Sequence, residues 1–189
     1  MINVRLLEVI DVVMGTAVNA DFNNDVTGDW INLKNYAGAM VVIIKPAGTA
    51  GDDPLLKLLQ ASDITGTGSK TLNINHFYAK VGTQTGVNTF TRYDVTTPGT
   101  VDTSSVTGNS YTGTGAPTAQ SALDLACEAV EAMFVIDVRA DDLDVSNGFN
   151  CIAYFNTGSA IANALLANVI VIPYGARFPG EIPASSVIA

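Results

Sequence analysis

A chain of 189 residues suffices for one domain that removes roughly 70% of its unfolded surface from water, so no disulfide or metal staple is required. Charged residues make up only 14% against 48% apolar, with 17 glycines, which leaves Thr, Ser, Asn and Gln prominent and points to strands and loops. The net charge of −9, with no Lys/Arg stripe, excludes direct docking on a nucleic-acid backbone.

The opening run, MINVRLLEVIDVVMG, is interrupted by Arg5, Glu8 and Asp11 and has neither the apolar stretch nor the cleavage site of a signal peptide. The longest apolar run, 164–172, is broken by Asn168 and is far short of the roughly 20 residues of a membrane span. Synthesis in a cytoplasm is the expectation. Residues 5–14 fit a helix face no better than a strand buried on both sides, and their type stays open.

After a turn-rich link at 21–29, Trp30, Asn32 and Lys34 alternate with Ile31 and Leu33 as in a strand. Met40 to Ile44 is an unbroken apolar run between Gly38 and Pro46, expected to be a central strand covered on both faces. Asp52-Asp53-Pro54-Leu55-Leu56 spells a helix start, yet its strand-like neighbours and short length favour a strand with Leu56 and Leu58 inward. Leu72 and Ile74 have one parity and Phe77, Ala79 and Val81 the other, which predicts a bulge or strand break near Asn75. A Thr/aromatic strand follows at 89–95, then a long Thr/Gly/Ser loop at 97–121 and two or three helical turns at 122–132.

The clearest signal is Met133 to Phe155, which reads as two strands joined by a short acidic connection. Phe134, Ile136 and Val138 share one face; Phe149, Cys151, Ala153 and Phe155 alternate on the return with Asn147-Gly148 as turn residues, and Leu143 pins the connection to the core. A last strand is expected at 169–174. Seven or eight short strands without βα alternation predict an all-β antiparallel sandwich or barrel with long surface loops, spanning 1–176, followed by an extended C-terminal arm at 177–189.

Signatures of chemistry fail one by one. Gly66-Thr67-Gly68-Ser69-Lys70-Thr71 has the wrong spacing for a phosphate loop and reads as a turn. Asp142, Asp144 and Ser146 begin like a calcium loop, but Gly148 comes one place late and Ala153 stands where the bidentate Glu belongs. His76 is the only histidine and falls on the wet parity beside Tyr78 and Lys80, so it reads as a surface residue and no general base. No nucleophile elbow and no Cys-x-x-Cys occur, and the pairs Asp52-Asp53 and Asp141-Asp142 read as solubilising charge. Cys127 and Cys151 read as free buried thiols. Catalytic, cofactor and metal residues are therefore expected to be absent, and the chain is not expected to be an enzyme.

EVIDVVMG at 8–15, KPAGTAGDDPLLKLLQASDITGTGSKTLNI at 45–74, FVIDVRADDLDVSNGFNCI at 134–152 and YGARFP at 174–179 together resemble the tailed-phage virion proteins described as head decoration, cement or minor structural proteins. The resemblance implies a jelly-roll-like sandwich that acts as a homo-oligomer on a major capsid protein at the virion exterior. It implies no nucleic acid, membrane or small-molecule partner. A carbohydrate- or receptor-binding virion module is the alternative; it would need clustered aromatics, and Trp30, Tyr93 and Tyr111 are scattered.

The arm holds the expected interface residues, Phe178, Ile182, Val187 and Ile188, on a segment that Pro179 and Pro183 keep irregular. It either folds back over its own sandwich or reaches a neighbouring copy or the capsid; the second reading is preferred, because repetition across a shell multiplies a small gain per arm.

Overall fold

The computed structural model describes residues 12–17, 20–21, 26–48, 55–74, 76–82, 90–97, 100–101, 130–157 and 166–176. Thirteen strands run through them: β1 (Val13–Met14), β2 (Ala20–Asp21), β3 (Val26–Thr27), β4 (Ile31–Asn32), β5 (Gly38–Lys45), β6 (Leu55–Ala61), β7 (Lys70–Thr71), β8 (His76–Val81), β9 (Thr91–Thr97), β10 (Thr100–Val101), β11 (Ala132–Arg139), β12 (Cys151–Thr157) and β13 (Leu166–Tyr174). One sheet has the order β1-β13-β5-β11-β8-β9-β10, with β2 also on β13; the other has β3-β12-β6-β7, with β4 on β12. Every pairing is antiparallel.

The pairs are nested. β6 meets β7, β5 meets β11, β3 meets β12 and β1 meets β13, so the chain is one long hairpin rolled up until its halves form two facing sheets. This is the pairing of a jelly roll. Strands β8 to β10 are an insertion between β7 and β11 that widens the first sheet.

Alternation fills the space between the sheets. Ala39, Val41 and Ile43 of β5, Phe134, Ile136 and Val138 of β11, and Val169 and Val171 of β13 meet Leu58 of β6 and Ile152 and Tyr154 of β12. Leu33, Leu72, Ile74 and Leu143 close the ends from the connections, with Leu143 pinned to the core as its sequence position implied. Pro173 lies in β13 beyond Val171, where the pairing with β1 ends among the described residues, so its missing N–H breaks no described ladder bond on that side.

Several expectations hold. Leu55–Ala61 is a strand despite its helix-like start, with Leu58 inward; the side chain of Leu56 lies outside the described residues. The parity slip near Asn75 is a strand break: Leu72 N–H donates to Leu58 in the second sheet at 2.8 Å, and from His76 the chain has joined the first. Residues 62–69 are a turn, with Gly66 and Gly68 at φ +81° and +65°.

Other expectations are corrected. The strands within 133–155 do not pair with each other; β11 lies in the first sheet and β12 in the second, and residues 140–150 arch between them through two 3-10 turns. Gly148, at φ +84°, ends the second of these turns instead of reversing a hairpin. Alternation records which face of a strand is buried and says nothing of the strand beside it. The return strand also buries both parities: Ile152 and Tyr154 enter the core, while Cys151 and Ala153 are buried outside it. Finally, β5 is central but only its inner face is fully covered, since on the other face Met40 and Val42 are half-buried and Ile44 is exposed. The strand at 30–36 shrinks to Ile31–Asn32, although Ile31 and Leu33 are buried as the parity required. The final strand begins at Leu166, three residues before its expected start.

Candidate docking site

The side of the first sheet turned away from the core carries apolar rows. Register places Met14 beside Ile170, Ile170 beside Val42, Val42 beside Val135 and Val135 beside Tyr78, across five strands. The next row runs Asn168, Ile44, Met133 and Lys80. Met14 and Ile44 are 38% and 37% exposed, while Ile170, Val42, Val135 and Met133 are half-buried. A one-sided antiparallel sheet facing water ordinarily alternates apolar and polar; this one has branched aliphatic and Met side chains on both faces of its centre. The flanks are more polar. Lys80 Nζ stands 4.5 Å from the centre of the Phe90 ring, His76 meets Tyr78 edge-on at 5.7 Å, and the Tyr174 hydroxyl donates to Asp137 at 2.7 Å. Burial, with that bond to Asp137, pushes the Tyr174 phenol up to about 12.

The arch at 140–150 closes one end of the sandwich. The Asp144 carboxylate accepts from Lys70, Ser146 and Asn147, and its backbone N–H donates to the buried Gln60 side chain at 2.8 Å. Lys70 Nζ also sits 4.2 Å from the centre of the Phe149 ring. The hydrogen bond from Lys70 leads the causes that hold the Asp144 carboxyl down at about 2. Asp142 is used locally, accepting from the backbone N–H of Arg139 at 2.9 Å. The acidic pattern at 142–146 is therefore occupied in holding the arch.

Two cavities flank this arch. One, of about 220 Å³, is lined by Leu33, Leu143, Val145 and Phe149, with Lys34 and Asp141. The other, of about 210 Å³, brings His76 together with Asp137, Arg139 and Asp142 over Leu72 and Ile136. His76, expected on a wet face, is half-buried there. Among the described residues that line this cavity there is no Ser, Thr or Cys. Among the described residues no group of three or more His, Cys, Asp or Glu side chains is placed to hold a metal ion, and no helix is long and apolar enough to cross a membrane.

Phe178, Ile182, Val187 and Ile188 lie outside the described residues, as do Tyr111, Cys127, Asp52 and Asp53, most of the 97–121 loop and residues 122–129. Trp30 is half-buried against the turn at Gly66, where an added Cβ would stand 2.6 Å from its indole nitrogen. The apolar outer face has a signal in the sequence that does not distinguish it from a buried one. Met40-Val41-Val42-Ile43-Ile44 is apolar in both parities, a pattern shared by a strand covered on both sides and a strand with an open apolar face. No protein family, curated protein or solved structure matches this chain.

Proposed function

We propose that this protein is a tailed-phage head decoration, or cement, protein that works as a homo-oligomer docked on a major capsid protein at the virion exterior. The observation that carries the reading is the row Met14, Ile170, Val42, Val135 on the outer face of the jelly roll, a rigid apolar surface on a domain with few charges. Such a surface recognises by shape and buried area, and a net charge of −9 suits the outside of a shell better than contact with packaged DNA. The reading adds a second contact from the arm at 177–189, whose Phe178, Ile182, Val187 and Ile188 would reach a neighbouring copy or the shell.

The test is mass spectrometry and cryo-electron microscopy of the virion that encodes the chain, followed by decoration of capsids with Val42→Asp and Val135→Asp. Because both positions are only half-buried, these variants are expected to fold and to lose decoration. Absence of the protein from the virion, or full decoration by both variants, would refute the reading.

A further inference from the structure

On the outer face of the first sheet the middle row, from Met14 through Val42 to Tyr78, is flanked by a row two residues further along the strands on either side. One flanking row runs Asn168, Ile44, Met133 and ends in the cation Lys80. The other holds Ile172, Met40 and Asp137, and the register of β11 on β8, carried two residues further, sets His76 beside Asp137; both line one cavity. Met14, Met40 and Met133 all belong to these rows, so every methionine of the chain except Met1 is on this face. Methionine adapts its shape to an irregular partner and is enriched where proteins meet, which marks the face as one that is covered in the working assembly.

Charge selects the partner. The chain carries −9, yet among the described residues these rows hold Lys80 and Arg92 against Asp137, with Asp94 opposite His76 in the register. Two acidic copies therefore meet here with less repulsion than elsewhere on their surfaces. Lys80 and Asp137 also lie on opposite sides of the middle row, each roughly 7 Å from it. A twofold axis along that row turns one flank onto the other, which brings Lys80 of each copy over the end of the other that holds Asp137 and sets Ile44 against Met40. Asp137 is exposed, and a carboxylate that accepts from the Tyr174 hydroxyl through one oxygen has lone pairs for a second donor. Across six strands and three rows the face measures roughly 24 Å by 20 Å, or about 500 Å² of flat area. Two copies then cover about 1,000 Å² before side-chain relief is counted, the size at which specific interfaces begin. We infer that this face is a twofold interface with a second copy of the chain, held by the apolar rows and set in orientation by Lys80 and Asp137. The interface gives the homo-oligomer of the decoration reading its form and rests on that reading only for what the pair does on a capsid, where two linked copies hold better than one.

Sedimentation equilibrium of the full-length protein tests it. The parent chain is expected to have the mass of a dimer and Val42→Asp that of a monomer. Lys80→Asp and Asp137→Lys each set like charges against each other across the axis, and each is expected to weaken self-association by about tenfold or more. Both substitutions in one chain exchange the two charges and are expected to restore the association of the parent, a recovery that no misfolded variant can show. A monomeric parent, a dimer untouched by Val42→Asp, or a double variant no better than the single ones would each overturn the inference. Capsid decoration is scored separately. A monomer that decorates capsids and fails to do so with Val42→Asp overturns the twofold interface, gives the face to the capsid protein and leaves the functional reading standing; a dimer that shows the charge-exchange recovery and never decorates a capsid upholds the interface and removes the decoration role.

Discussion

The carbonyl oxygen of Gly15 lies 2.1 Å from the position that a Cβ on Gly28 would take. Gly15 N–H donates to Val169 in the first sheet at 2.8 Å, Gly28 N–H donates to Tyr154 in the second at 2.7 Å, and Asp29 N–H closes onto the Gly15 carbonyl at 2.9 Å. Two glycines therefore join the sheets backbone to backbone at one edge. Gly28→Ala is expected to cost more than the usual 1–3 kcal/mol or so of overpacking, because the obstructing atom is main chain and cannot turn aside. Gly68→Ala, with open space but φ +65°, should cost only about 1–2 kcal/mol. Equal denaturation midpoints for the two variants would contradict this.

Ile136 is 1% exposed in the core, whereas Val42 is half-buried on the outer face. Ile136→Ala should destabilise by about 2–5 kcal/mol, and Val42→Ala by about 1 kcal/mol, in urea titrations. The reverse order would mean that the outer face of β5 is the better covered one.

Two carboxyls on the same side of the fold titrate low. Hydrogen bonds from the Thr65 and Thr67 side chains, with the Thr67 N–H, hold Asp63 at about 2, and Lys70, Asn147 and Ser146 do the same for Asp144, against an ordinary value of 3.8. A depressed folded-state value means that the stabilisation is complete above about pH 4 and is lost as pH falls through about 2. Thermal midpoints should fall across that window, and less steeply in Asp144→Asn. A slope unchanged by that substitution would remove Asp144 from the account.

Cys151 is 0% exposed, and burial, aided by the Asp63 carboxylate, pushes its thiol up to about 11. Peptide mapping after treatment with a maleimide at pH 7 should find Cys151 unmodified in the native protein and modified in denaturant. Rapid native labelling would show that β12 opens locally.

Parity carried much of the fold in the sequence. Ile31, Leu33, Leu72, Phe77, Ile136 and Val138 are buried as their alternation demanded, because the two faces of a strand are a local property. Pairing is not local. Nothing in Met133 to Phe155 states that its halves belong to opposite sheets; that depends on β5 and β6, which claim β11 and β12 through residues nearly a hundred positions away. Lys45 shows the same limit at a single residue. It ends an apolar strand, is 3% exposed, and its ammonium donates to the Val130 carbonyl at 2.7 Å, a partner no local pattern reveals. The candidate site was legible only as composition, since the outer rows exist by virtue of register between strands far apart in the chain.

The nested pairing also sets an order of events at the ribosome. β13 is the last of the described strands in the sequence yet lies between β1 and β5, one place in from the edge of the first sheet. Until residues 166–174 emerge, β1 has no partner and one edge of β5, with Val41 and Ile43, is open to any other extended chain. The domain cannot be completed during translation by adding strands to a finished part; its closing strand must insert into a gap held open by everything made before it. Ribosome-bound chains should stay sensitive to protease until the whole of β13 has cleared the exit tunnel, then become resistant in one step, and two such nascent chains held close together would be prone to pair through that gap.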